Sequence, residues 1–283
     1  LVAGFEDLSG IPTRGLRAPK DVLFFSDLGY KLNQFALFGE TTDSPSEQWS
    51  FTGGLRFYHF GEDKEQIFDG IFAHDNTGTS LVSQPGTTDA SGLAPRFIAT
   101  YKLSHDANLN AQISRGFRLG GINDPLNVPL CTPQDLVTFG GRETWTDEKV
   151  WNYEVGVKSR VLNGLGAFSA AAFYMDIQDL QATVTAASCS SRVVFNVPKA
   201  RSQGFEVEFE AAPNRNVDFA VSASFTDSEL RSTLTSTDAS GNVSIVSGIE
   251  IAQITDETEP GPISVEALQF AVGWSHPKTE AKG

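Results

Sequence analysis

The sequence predicts an all-β chain: an antiparallel up-and-down meander of about nine to ten long strands, part of a transmembrane β-barrel. Three observations carry this. Apolar residues recur at every second position over long stretches, as in strands with one apolar and one polar face. Connections alternate between tight turns and longer segments. Finally, Phe205, Val207 and Phe209 alternate with Glu206, Glu208 and Glu210. Burying unpaired carboxylates is too costly for an ordinary core, so that face meets water while its opposite is apolar throughout.

Residues 1–22 read as an irregular or loop segment, punctuated by Gly4, Gly10, Pro12, Gly15 and Pro19. A first strand is expected over 31–43 and, after the turn Ser44-Pro45-Ser46-Glu47, a second over 49–60. A long polar segment, 61–91, precedes a third strand over 93–103 with Phe97, Ala99, Tyr101 and Leu103 on one face. His105-Asp106 turns the chain into a fourth strand, 108–118, where Leu109, Ala111 and Ile113 alternate with Asn110, Gln112 and Ser114. A second long segment, 119–148, leads to the fifth strand. There Trp151, Tyr153, Val155 and Val157 alternate with Asn152, Glu154, Gly156 and Lys158. Asn163-Gly164 marks a tight turn into the sixth strand, which runs to about 184. A medium segment, 185–192, precedes a seventh strand over 193–212, interrupted by Pro198 and Gly204. The turn Pro213-Asn214-Arg215-Asn216 gives an eighth over 217–230. The polar segment 231–262 and a final strand over 264–274 complete the meander.

If each strand pairs with its neighbour, the tight turns gather on one rim and the longer connections on the other. Soluble sandwiches mix connection lengths and use Greek-key crossings. Strict alternation is the pattern of an outer-membrane barrel, whose strands need about ten residues to cross the bilayer. The apolar face then meets acyl chains and the polar one lines a lumen or a plug. Arg56, Glu154, Lys158, Glu206 and Glu208 are read as lumen- or plug-facing polar groups. Tyr30, Phe60, Phe117, Trp151 and Trp274 are candidates for the aromatic girdles.

Composition narrows the function. The net charge is −14 with no basic run, which argues against nucleic acid as a partner. No stretch nears the ~18 apolar residues of a membrane helix. The start, Leu1-Val2-Ala3-Gly4, shows no signal-peptide pattern, so the chain reads as a mature or truncated piece. His59, His74, His105 and His276 are scattered, and Cys131 and Cys189 fit no metal-ligand spacing. No nucleophile, Walker or dinucleotide motif is present, so the expectation is no enzyme, no cofactor and no metal. Glu62, Asp63, Glu65, Asp69 and Asp75 lack EF-hand spacing and read as a solvated acidic loop. Arg115 and Arg118 flank Phe117 near a strand's outer end. Two readings stand: contact with an anion, from a ligand or a lipopolysaccharide phosphate, or pairing with carboxylates on neighbouring strands.

Four stretches carry a family resemblance. SRGFRLGGIND (114–124), EKVWNYEVGVKSRVLNG (148–164), AAAFYMDIQDLQ (170–181) and NVPKARSQGFEVEFEAAPN (196–214) resemble, in the usual order, stretches of TonB-dependent receptor barrels. The resemblance spans roughly 93–230. It implies a Gram-negative outer-membrane importer of a scarce ligand, an iron–siderophore, cobalamin or a glycan. Such importers are energised by the TonB complex through an N-terminal region, and their barrels have about 22 strands and a plugged lumen. This chain has too few strands, no plug domain, no N-terminal box for TonB, and a polar tail over 275–283. It is therefore expected to be a partial barrel over 1–283. Its partners would be outer-membrane lipid, the missing plug and remaining strands, the TonB complex and a small-molecule ligand.

In this arrangement the outer loops 119–148 and 231–262 meet ligand first. Arg118, Asn123, Asp124, Phe139 and Trp145 are the candidate contacts. Cys131 and Cys189 fall in loops of the same oxidising rim, between neighbouring strands, where a disulfide would brace the loops; two free thiols are the alternative. Two other readings remain: a complete small outer-membrane barrel with a structural or adhesive role, and a soluble glycan-binding β-sandwich whose apolar faces pack on each other.

Overall fold

A computed structural model of the chain describes residues 24–69, 82–214, 217–237, 243–245 and 264–275. The expected irregular segment 1–22, the tail beyond Ser275 and most of 231–262 lie outside the described residues. Among the described residues the main sheet holds nine long strands: β1 (Phe25–Asp43), β2 (Trp49–Asp69), β3 (Gly86–Lys102), β4 (Ala107–Arg118), β5 (Glu148–Val161), β6 (Gly166–Ala186), β7 (Ser191–Asn214), β8 (Val217–Leu230) and β9 (Ser264–Ser275). Each is antiparallel to its sequence neighbour, in the order β1 through β9, and the short strand Val82–Ser83 adds to β2. The sheet is open, with β1 and β9 at its two edges.

The register keeps the two faces chemically distinct. Phe97 stands opposite Gly53 and Ile113, and Ile113 opposite Tyr153. Tyr153 faces Tyr174, and Phe205 lies between Ala172 and Phe225. On the other face Gln112 opposes Glu154, and Ser169 opposes Lys158 and Glu208. No second sheet of the described chain covers the apolar row: Phe205 is 46% exposed, and Leu55, Phe57, Leu93, Phe97, Ile113 and Val155 are exposed with it. A soluble sandwich would bury that row, so the sandwich reading is not what the chain adopts.

Two connections differ from expectation. The segment 61–91 is not a long loop, because β2 continues to Asp69 and β3 begins at Gly86. Charge hid the strand. Asp63 and Glu65 are exposed, whereas Lys64, Gln66 and Phe68 between them are buried, so the period of two continues in polar residues. Glu62, Asp63, Glu65 and Asp69 thus belong to a strand; Asp75 lies outside the described residues. The medium connection 185–192 shrinks to a turn over 187–190, because β6 and β7 extend toward each other. The turn after β5 is as expected, with Asn163 and Gly164 at positive φ (55° and 86°), where glycine costs least.

The β2–β3 and β6–β7 hairpins therefore rise beyond the ends of β4 and β5. Two girdle candidates turn inward: Phe60 is buried and Phe117 stacks on buried Tyr58, with ring centroids 3.6 Å apart.

Candidate functional site

The gap between the two tall hairpins is filled by the 119–147 connection. It carries a short helix, α1 (Pro133–Phe139), and a ribbon pairing Gly121–Ile122 with Thr144–Trp145. The Thr132 hydroxyl caps the helix by accepting from the Asp135 N–H at 3.2 Å, and Pro133 suits the first turn.

One end of the loop is tied to β2. Lys64 Nζ donates to the Ile122 carbonyl (3.1 Å) and to Asp124 (2.8 Å), and Gln66 donates to the Asn123 carbonyl at 3.1 Å. The Tyr58 hydroxyl donates to Asp147 at 3.1 Å. The other end is tied to β7. Asn123 Oδ1 accepts from Val194 N–H (2.8 Å) and its Nδ2 donates to the Val194 carbonyl (3.0 Å). Asn196 accepts from Thr146 N–H at 2.7 Å. In a flat sheet β2 and β7, five strands apart, would be about 24 Å from each other. One residue, Asn123, touches both, so the sheet curves, and the face carrying Tyr58, Lys64 and Gln66 is the concave one.

The loop has its own core. Phe139 packs edge-on against Phe195 (5.7 Å), with Val193, Val197, Ala186 and Cys189 around them. Cys131 and Cys189 form a disulfide, Cα–Cα 4.6 Å, joining the loop to the tip of the β6–β7 hairpin. Beside it Ser188 donates to Asp135, and Ser191 accepts from Asn127 N–H at 2.9 Å. Arg142 lies over the Phe195 ring at 4.4 Å, and burial pushes its guanidinium below its ordinary pKa.

The five expected ligand contacts gather here, but most act as struts. Asn123 and Phe139 are buried within the loop. Trp145 packs beside Gly121, where its ring would meet an added Cβ at 2.5 Å. Arg118 pairs with Glu148 (2.7 Å) and donates to the Gln181 carbonyl (2.9 Å), closing the base of the loop. Asp124 pairs with Lys64 and keeps an exposed side chain. Sequence reasoning missed Tyr58, Lys64, Gln181 and Asn196. Each is a polar residue at a strand position that sequence alone marks only as wet.

Lower on the concave face, Lys158, Ser169, Glu208 and Glu210 line an open polar cleft with His105 and Asp106 of the β3–β4 turn. Arg96 pairs with Glu40 at 3.7 Å and donates to Gln112. Arg56 lies over the Phe117 ring at 5.7 Å and Arg115 over Trp151 at 5.9 Å. Glu154 stands opposite Gln112, and Glu206 opposite Ala171 and Ser224. Among the described residues no cluster of His, Cys, Asp and Glu is arranged to hold a metal, and no helix is long and apolar enough to cross a membrane.

Comparison with known proteins agrees with this architecture. The ferric yersiniabactin uptake receptor FyuA from Yersinia pestis is 19% identical, with a TM-score of 0.56 over 73% of this chain and 28% of that one. The siderophore receptor PiuA from Acinetobacter baumannii is 14% identical, with a TM-score of 0.54 over 77% of this chain and 28% of that one. The ferric-catecholate import receptor Fiu from K12 E. coli is 15% identical, with a TM-score of 0.54 over 89% of this chain and 33% of that one. At these identities the likeness is one of fold, and the chain spans a third or less of each receptor's length. The family model described as "TonB dependent receptor-like, beta-barrel" matches residues 6–256, well beyond the 93–230 that the motifs mark. The chain belongs to the TonB-dependent receptor β-barrel family.

Proposed function

We propose that this chain is the barrel portion of a Gram-negative outer-membrane receptor that takes up a scarce ligand with energy supplied through TonB. The observation that carries the reading is the sheet's division of faces. A bare apolar row points away from the chain, and a polar concave face sits under a pinned outer loop. Lipid satisfies the first and a wet lumen the second. The fold neighbours named as receptors for ferric yersiniabactin and ferric catecholates favour an iron chelate over cobalamin or a glycan. A plug domain, further strands and the TonB-contacting segment complete the receptor in this reading, which has no catalytic step. β1 and β9 are not paired with each other, which supports a partial barrel over a closed small barrel with an adhesive role.

The test is accumulation of labelled iron chelates, cobalamin and oligosaccharides by the host, by a strain lacking the full-length gene and by a strain lacking TonB. One ligand class should be lost in both mutants. Unchanged accumulation of every class would overturn the reading.

A further inference from the structure

We propose that the outward face of β4–β8 carries, at the loop-side border of its apolar rows, a site for the phosphates of an outer-leaflet glycolipid, with Arg115, Lys149 and Lys199 as the contacts. The inference rests on the reading of the apolar rows as lipid-facing and adds the lipid that meets their upper border.

The register fixes where charge begins. Tyr153, Tyr174, Gln203 and Asp227 form one cross-strand row, a step above the row of Val155, Ala172, Phe205 and Phe225. The next row on the same face is Arg115, Trp151, Asp176, Arg201 and Glu229, and the one above it holds Lys149, Gln178 and Lys199. The ladders are unbroken over these steps, so the face does not change. From the Val155 row down to the tight turns, no outward position of β4–β8 carries a charge. Hydrocarbon excludes charge and head groups admit it. A step of two residues, about 7 Å, therefore takes the surface across the membrane's edge on the loop side.

Neutralisation and place together single out three cations. Arg201 pairs with Asp227 (3.5 Å) and Glu229 (3.1 Å), and Arg231 with Glu229 (2.8 Å). Arg115, Lys149 and Lys199 form no ion pair among the described residues, and Arg115 lies over the Trp151 ring. Of the two arginines flanking Phe117, Arg118 is engaged by Glu148 and Arg115 is left for an anion. With Asp176 between Trp151 and Arg201, the border still keeps a positive surplus, on a chain of net charge −14. Other unpaired cations stand elsewhere. Lys102 and Lys158 alternate with outward Tyr101 and Val157, and Arg192 is near the tip of the β6–β7 hairpin.

The rows beneath decide the source of the anion. A dissolved anion needs only the cations. An amphiphile also uses the uncharged rows below them, with phosphates on the basic border and acyl chains over Val155, Phe205 and Phe225. Guanidinium and ammonium groups suit phosphate oxygens, and Tyr153 and Tyr174 lie at the depth where rings meet head groups. The phosphorylated glycolipid of a Gram-negative outer leaflet combines these parts on the loop side of the barrel.

Titration of labelled bisphosphorylated lipid A into the full-length receptor, stripped of lipopolysaccharide and held in neutral detergent, tests this. The wild type should bind it more weakly as salt rises, and should prefer it to lipid A without phosphates and to phosphatidylglycerol. Changing Arg115, Lys149 and Lys199 together to glutamine should weaken binding about tenfold or more. The charge-matched variant with glutamine at Lys102, Arg160 and Arg192 should bind as the wild type does. Heat-modifiable mobility on gels checks that each barrel is folded. The proposal falls if the wild type binds lipid A equally with and without phosphates, or binds phosphatidylglycerol as well. It falls too if the border variant binds like the wild type, or if both variants lose binding equally, which would make the effect one of overall charge. Wild-type protein that inserts into vesicles yet shows none of these preferences would end the proposal and leave the lipid-facing reading of the apolar rows standing.

Discussion

Asn123 shows how one side chain holds this outer rim together. It is buried, its amide donates to the carbonyls of Arg142 and Val194, and its oxygen accepts from Val194 N–H. Truncation would leave three part-buried backbone groups without this partner, at up to about 1–3 kcal/mol each where water cannot replace it. Asn123→Ala should therefore speed amide exchange at Val194 and open the chain to trypsin after Arg142, with the membrane strands unaffected. Protection at Val194 equal to the wild type would show that the ribbon holds without the amide. Gly204 constrains a different place. A Cβ there would sit 2.1 Å from the Phe225 carbonyl and 2.8 Å from the Phe173 ring. The backbone cannot yield as a side-chain tip would, so Gly204→Ala should cost roughly 1–3 kcal/mol. The midpoint of urea unfolding in lipid vesicles measures it.

Among the elements, the 119–147 loop is stapled at two levels. The disulfide holds the α1 side to the β6–β7 tip, and side-chain amides with Lys64 hold the ribbon side. A bridge closing a loop of this length contributes about 2–4 kcal/mol when the whole chain unfolds, but local opening feels only the part it spans. Reduction, or Cys131→Ser with Cys189→Ser, should raise hydrogen exchange across 127–139. Gly121–Ile122 and Thr144–Trp145 should remain protected. Equal loss across the loop would mean one cooperative unit.

These elements also mark how far the sequence could be read. Alternation of apolar with polar residues placed β4, β5 and β8 to within a residue or so, because lipid on one side and water on the other leave that pattern in the chain. The outer half of β2 escaped, whereas that of β7 was expected as a strand from 193 and only its burial was not legible. β2 alternates in charged residues whose buried members are Lys64 and Gln66, and β7 is buried by a loop that folds back from elsewhere in the chain. Residue types alone left the two cysteines open; the meander, which brings their loops to one rim, made the disulfide a candidate, and the structure forms it. The ligand-contact candidates were chosen for lying in a loop. Packing made Asn123 and Phe139 part of that loop's interior instead.

For the whole molecule, the decisive arrangement is that greasy side chains face away from the chain's own interior. Val155 lies near the middle of β5 and is 49% exposed, with Ala111 and Ala172 as its lateral neighbours on the outer row. Glu154, next to it, stands on the concave face opposite Gln112. If hydrocarbon covers the outer row, an arginine at 155 must reach through acyl chains to find water, at about 2–4 kcal/mol near the bilayer midplane. An arginine at 154 stays in a wet lumen and should cost less than about 1 kcal/mol. The full-length Val155→Arg and Glu154→Arg proteins, folded into vesicles and unfolded in urea, give the comparison directly. A larger loss for Val155→Arg is expected, and it should grow if Arg is placed at Phe205 on the same row. A larger loss at 154 would mean that the charged face is the packed one. The curved single sheet would then have its lipid side and its lumen side exchanged.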